Sequence, residues 1–238
     1  MEKIVAALWK PDARPAADFN AALLGPLAAE LQAAGAQHLR LNLQDETVAA
    51  GAKLQQINTR PQMNAIAQFW LPSANARFRA DVDAALTRHS ARVAAWIAVE
   101  STIIPNADHP SVRGMRTWGF SQSTFLGLPP RLSHDEWRRI WQTTHTKVAI
   151  ETQANFEYVQ HVLVQPLHDE SQDSGGPSFT GFVEECFPIE ALSDPQVFFD
   201  AVGKPAKFDA NLAAMMESCG RFIDFDRIDV LITSQFNL

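Results

Sequence analysis

Apolar residues recur along this chain in two rhythms, one of period two and one of period three to four. Lys3 to Trp9 is a short apolar run stopped by Pro11, as in a buried strand. Phe19, Leu23, Leu24, Leu27 and Leu31 then recur at helical spacing in an alanine-rich stretch that Gly35 ends. His38 to Leu43 alternates strictly, with leucines on one face and polar groups on the other, which predicts a half-buried strand. Residues 44–61 read as loop with room for a turn of helix. Met63 to Leu71 is a strand ended by Pro72. Phe78, Val82 and Leu86 mark one face of a second helix, with Ser73 or Asn75 as its N-cap, and Val93 to Ile104 is a β-branched and aromatic run closed by Pro105.

The second half repeats the order. Met115 to Leu126 predicts a strand. Ser133 with Glu136 three residues on forms a capping box for a helix faced by Trp137, Ile140, Trp141, Thr144 and Val148. Phe156 to Val164 is a strand closed by Pro166, residues 168–177 are a polar surface loop, and Phe179 to Phe187 is the next strand. Asp194-Pro195 starts a helix, Phe208, Leu212, Met215 and Met216 supply a longer one, and Phe222 to Phe236 has strand character. Strand, helix, strand, strand, helix, strand, read twice, is the split βαβ arrangement duplicated over residues 1–108 and 109–238. A four-stranded sheet with one bare face is unstable alone. The expected fold is therefore α+β, with two tandem ferredoxin-like repeats whose antiparallel sheets pack face to face as an α+β barrel. An interior space for a small ligand follows from that geometry. Whether one chain closes the barrel or a homodimer forms is left open by the pattern.

Composition narrows the function. At about 150 residues per domain, 238 residues make one or two domains with an ample core. A formal charge of -7 argues against nucleic acid or an anionic membrane surface as the partner. Two cysteines, Cys186 and Cys219, make no disulfide scaffold and suit a reducing, cytoplasmic setting. The N-terminal apolar run is too short for a signal-peptide core, and nothing approaches a membrane span.

Motifs for nucleotides, zinc proteases and serine hydrolases are absent. His134, His145, His161 and His168 have no compact ligand spacing. Asp224, Asp226 and Asp229 could meet a hard cation, but read better as a solvated strand or turn. No cofactor and no metal is called for. Candidate chemistry concentrates in the second half. His145 lies at the edge of the Trp137–Trp141 stripe, as either a packed histidine or a proton-transfer group at a cavity mouth. On the strand carrying Tyr158, alternation turns Phe156, Tyr158, Gln160, Val162 and Val164 toward the helices, and Asn155, Glu157, Val159, His161 and Leu163 into the barrel. A buried His161 needs a partner, for which Gln122, Thr124 and Glu185 are candidates. In the first half, Gln68, Trp70, Trp96 and Glu100 occupy strand positions that could face a shared cavity. The six tryptophans, Trp118 among them, either wall an aromatic pocket or pack the core.

The string Trp137-x3-Trp141-x3-His145, Ala149 to Gln153 and Phe156-x-Tyr158-Val159-Gln160-His161 resembles the EthD-domain proteins of the dimeric α+β barrel superfamily. Glu184-Glu185-x-Phe187, Asp194-Pro195, Phe198-Phe199 and Arg221-Phe222 extend the resemblance, which is strongest over residues 131–236. The chain departs from the pattern where Thr146-Lys147 follows His145 in place of an HxP-like ending, and where His161 stands in place of asparagine. The resemblance implies ferredoxin-like barrel domains. Relatives in the wider superfamily include polyketide cyclases, cofactor-independent monooxygenases, muconolactone-isomerase-like enzymes and dehydratase-like proteins. The expected activity is cofactor-independent, lyase-, cyclase- or isomerase-like proton transfer on a small hydrophobic, aromatic or cyclic metabolite. His145, His161, Tyr158 and Glu185 would be catalytic, and Gln122, Trp118, Gln68, Trp70, Trp96 and Glu100 substrate-binding. A non-catalytic small-molecule binder and a monooxygenase are the alternatives.

Overall fold

The computed structural model describes residues 1–169 and 178–238. β1 (Glu2–Trp9) leads into a helix made of α1 (Ala16–Ala22), a π-helical turn (Leu23–Leu27) and α2 (Ala28–Ala33). β2 (Gln37–Leu43), a 3-10 segment (Glu46–Leu54), β3 (Ala65–Leu71), α3 (Ala76–His89) and β4 (Arg92–Ile104) complete the first half. β5 (Phe120–Gly127) opens the second half and is followed by α4 (His134–Arg139), a second π-helical turn (Ile140–His145) and α5 (Thr146–Thr152). Then come β6 (Glu157–Asp169), β7 (Phe179–Phe187), α6 (Pro195–Phe198), α7 (Pro205–Phe222) and β8 (Ile228–Asn237).

The eight strands form one closed antiparallel barrel in the order β1-β3-β2-β8-β5-β7-β6-β4. Two sheets packed face to face, the arrangement expected from the pattern, would leave four strand edges with unpaired backbone groups. Here β2 pairs with β8 and β4 with β6, so the edges vanish into a single sheet. Within each half the hydrogen-bonded order is the same, β4-β1-β3-β2 and β8-β5-β7-β6.

Helices cover the outer face of each half. Over the first half, Phe19, Leu23, Leu27, Leu31, Val82 and Leu86 pack with apolar outward residues of the strands, Ile4, Ala6, Leu41 and Phe69 among them. Over the second half, Trp137 and Trp141 lie flat enough on the sheet that a Cβ at Gly181 would meet Trp137 Cη2 at 2.8 Å and Trp141 Cζ3 at 3.0 Å. Gly119, at φ +79°, allows a second close approach, since a side chain there would strike the carbonyl oxygen of Phe187.

The barrel interior divides by polarity. Toward one end Val5, Ala7, Trp9, Met63, Trp96, Phe125, Leu163, Phe179, Phe182 and Leu231 fill it as a core. Toward the other lie charged and amide side chains, opening into a mouth of about 310 Å³ lined by Lys3, Arg40, Trp70, Glu100 and Glu157 among others.

Several local expectations are corrected. The β2 strand is not half-buried with a solvated polar face, because Asn42 is fully buried and Arg40 is held by two carboxylates inside the barrel. Phe78 is 69% exposed rather than packed, and Asn75, not Ser73, caps α3. β5 begins at Phe120, since Met115 to Gly119 forms a loop. β6 runs through Pro166, which lies beyond the stretch where β7 pairs, so its missing N–H costs no bond on that side. Phe222 ends α7 and is not part of β8. The expected 168–177 loop falls largely outside the described residues.

Candidate active site between the second-half helices and the barrel

The outward faces of β5, β7 and β6 bring three of the expected site residues into one row. Gln122 pairs with Glu185 across β5–β7, and Glu185 pairs with Tyr158 across β7–β6. Strands stand about 4.8 Å apart, so the row spans about 10 Å. Above it, His145 ends the π-helical turn between α4 and α5, a local widening that often marks functional sites. These four residues line a cavity of about 210 Å³ whose other walls are mainly apolar, among them Trp141, Phe198, Met215, Phe222 and Val230.

The two adjacent glutamates show how the period of two assigns roles. Glu184 points into the barrel and accepts hydrogen bonds from Arg40, Asn42, Gln68, Ser121 and Gln235. Burial alone would raise its pKa, but the Arg40 charge and those donors hold it down at about 2. Glu185 points out into the cavity and is equally buried. It has one donor, Asn155 Nδ2 at 2.9 Å, and its pKa is pushed up to about 7 by desolvation. A carboxyl that is half ionised at neutral pH is suited to both taking and returning a proton.

His145 is buried against Phe222, with ring centroids 4.6 Å apart, and its Nδ1 lies 3.0 Å from Ser218 Oγ. No carboxylate offsets its burial, so its pKa falls to about 4 and the ring is neutral at pH 7. The Tyr158 hydroxyl accepts a hydrogen bond from Gln160 Nε2 at 2.6 Å, and Gln160 is also tied to Thr146 Oγ1 on α5. Burial and the neighbouring Glu185 raise the phenol's pKa, so it stays protonated. The acceptor oxygens of Gln153, Asn155 and Gln160 are buried without partners around this site. Cys219 also lines the cavity, but burial lifts its thiol to about 12 and removes it as a nucleophile.

The remaining candidates lie elsewhere. His161 does face the barrel interior, but its partner is Glu100, with Nε2 3.2 Å from Oε2, not Gln122, Thr124 or Glu185, which sit on the opposite face of the sheet. The His161 hydrogen bond, with Lys3 at 2.8 Å, lowers Glu100 to about 2, while burial lowers His161 itself. Gln68 donates to Asn42 and Glu184 inside the barrel, Trp96 packs on Phe125 and Phe179, and Trp70 lies near Lys3 at the mouth. Trp118 stacks on His109 at the surface, 42% exposed. His145, Tyr158 and Glu185 thus share one cavity and His161 lies apart from them, on the opposite face of the barrel wall.

Among the described residues no group of three or more His, Cys, Asp or Glu could hold a metal ion. The aspartates near the C-terminus have other work: Asp224 caps a 3-10 turn, and Asp229, expected to be solvated, is buried and accepts from Thr59 and Gln62. No described helix is long and apolar enough to cross a membrane. Sequence reasoning missed Ser218 and the Arg40–Glu184 centre, and it turned Asn155 into the barrel, whereas the structure sets it against Glu185 on the outer face. Each depends on a contact between elements far apart in the chain. Only the polar alternation of β2 hinted at the Arg40–Glu184 centre.

Residues 129–226 match the EthD domain family. Curated proteins give no match. Among solved structures, an anthrone oxidase-like protein superposes with a TM-score of 0.56 at 8% identity, over 99% of this chain and 93% of that one. A putative monooxygenase from Lactobacillus acidophilus NCFM superposes at 0.47 and 8% identity, covering 100% and 97%. The chain is EthD-domain-like over residues 129–226, which supply His145, Tyr158 and Glu185, and its closed-barrel fold is similar to that of the anthrone oxidase-like protein.

Proposed function

We propose that this protein is an enzyme that moves a proton on a small hydrophobic, cyclic or aromatic molecule bound in the cavity over β5, β7 and β6. One observation carries the reading: a buried carboxyl, Glu185, with a pKa of about 7 in a mainly apolar cavity. Ionised Glu185 takes a proton from a carbon next to a carbonyl. Tyr158, whose oxygen already accepts from Gln160, supplies its O–H to the oxygen where negative charge develops. His145, held neutral and oriented by Ser218, adds a hydrogen bond and does not act as a charged acid. Glu185 then returns the proton at another atom, which describes isomerisation, cyclisation or dehydration alike. Proton transfer of this kind contributes about 10²- to 10⁴-fold. The residues named here require no cofactor.

The two halves, 1–108 and 109–238, are read as duplicated ferredoxin-like repeats that have divided the labour. Outward positions under the first-half helices are mainly apolar, whereas the second half carries Gln122, Tyr158 and Glu185. Closure within the chain takes the place of pairing with a second copy.

A second reading shares the first step. The carbanion formed at Glu185 would react with dioxygen, as the name of the anthrone oxidase-like neighbour suggests. Anthrone, a carbon acid, is therefore a suitable probe. In D2O, wild-type protein should speed exchange of its methylene protons at least about 100-fold over buffer, and Glu185→Gln should remove the effect. Buffer-rate exchange of anthrone and of cyclic 1,3-diketones would overturn the catalytic reading in favour of a non-catalytic binder. Oxygen uptake accompanying exchange would select the oxygenase.

A further inference from the structure

The cavity over Glu185 has a neighbour that shares part of its wall. A second space, of about 240 Å³, lies beside it under α6 and the 3-10 segment Glu46–Leu54. Gln122 and Phe198 line both. The walls of the second space are apolar or small apart from Gln122, Ser193 and Lys53. Lys53 is its single charged group. Lys53 makes no ion pair among the described residues, and the Gln122 amide, half-buried between the two spaces, makes no side-chain hydrogen bond there. The inner space has the opposite character: it holds no cation at neutral pH, since His145 is neutral there, and its acid, Glu185, is held half neutral by burial.

We propose that the two spaces hold one ligand. Its apolar ring body sits in the inner cavity beside Glu185, and an anionic, carboxylate-bearing arm passes Gln122 to reach Lys53. This rests on the reading of the inner cavity as the reaction site. Lys53 is exposed at the rim of the second space and has no counterion among the described residues, so an anionic group that emerges past the apolar walls meets an unpaired ammonium there. The amide of Gln122 offers both a donor and an acceptor to the arm at the narrowing. Since Gln122 is the direct cross-strand neighbour of Glu185, the reacting carbon lies next to the point where the arm leaves the ring.

The test uses two probes of nearly the same shape. 1-Anilinonaphthalene-8-sulfonate carries an anion beside its rings, and N-phenyl-1-naphthylamine is its neutral counterpart. Fluorescence titration should show one site for each on the wild-type protein. Lys53→Met should weaken the sulfonate about two- to fivefold, the size of one exposed ion pair, and Lys53→Glu more, with the neutral probe unchanged. The difference should shrink in 1 M NaCl. Sulfonate binding that ignores both Lys53 variants would overturn the inference, as would failure of both probes to bind. Neither probe needs a proton moved. Loss of anthrone exchange with Lys53-dependent probe binding intact therefore counts against the proposed reaction alone, and intact exchange with Lys53-independent binding counts against this inference alone.

Discussion

Replacing Glu185 with glutamine should make the protein more stable in mild alkali and leave it unchanged in acid. The folded carboxyl has a pKa of about 7 and the unfolded one about 4.5, because folding strips water from a group that gains one hydrogen-bond donor in return. The folded state therefore holds the proton more tightly. The contribution of the neutral acid is fully present below pH 4.5 and is lost as pH rises through 7. At about 1.4 kcal/mol for each pH unit between the two values, the loss totals about 3 kcal/mol. Glutamine keeps the shape and cannot ionise, so Glu185→Gln escapes the loss. Urea unfolding of both proteins at intervals from pH 4.5 to 9 measures the difference directly. Other titrating groups, His145 and His161 among them, cancel in the comparison. The variant should gain progressively from about pH 5 and level off above 7, by about 2–3 kcal/mol. A difference that stays flat across this range would refute the assignment of Glu185 as a desolvated, poised acid.

Three further outcomes follow from the same contacts. His145 is held at about 4 against an ordinary 6.5, so its neutral form contributes stability that is lost as pH falls from 6.5 to 4; His145→Gln should flatten that limb of the unfolding curve. Arg40→Met leaves Glu157 and Glu184 buried without their cation, and denaturant unfolding at pH 7 should show a loss of about 3–5 kcal/mol. Gly181→Ala drives a methyl into Trp137 and Trp141, and should cost about 1–3 kcal/mol and shift the indole fluorescence.

Much of this architecture was legible in the chain itself, because strand and helix periods are local. The alternation around Tyr158 correctly sent Tyr158 and Gln160 toward the helices and His161 into the barrel. The capping box at Ser133 and the Asp194-Pro195 helix start were also legible, since a cap is satisfied within three residues. What the sequence withheld was partnership across the barrel. His161 finds Glu100, 61 positions away, only because β4 and β6 close the seam. Arg40 and Asn42 look like a solvated face until β7 places Glu184 between them. Glu185 was a candidate from the sequence, but its raised pKa was hidden for the same reason: it follows from a shortage of donors, and a shortage has no sequence motif. The cavity was expected inside the barrel, where ring size leaves space in principle, but Trp96, Phe125, Phe179 and Phe182 fill one end and the charged groups organise the other.

The central claim is that ligands enter between the second-half helices and the barrel, and do not occupy its interior. Indole ¹⁵N–¹H resonances, assigned by single Trp→Phe variants, locate binding without knowledge of the natural substrate. On titration with N-phenyl-1-naphthylamine, the Trp141 signal should move most and Trp137 beside it next, while Trp96 and Trp70, inside the barrel and at its mouth, stay in place. Movement of Trp96 or Trp70 with Trp141 unmoved would contradict the claim.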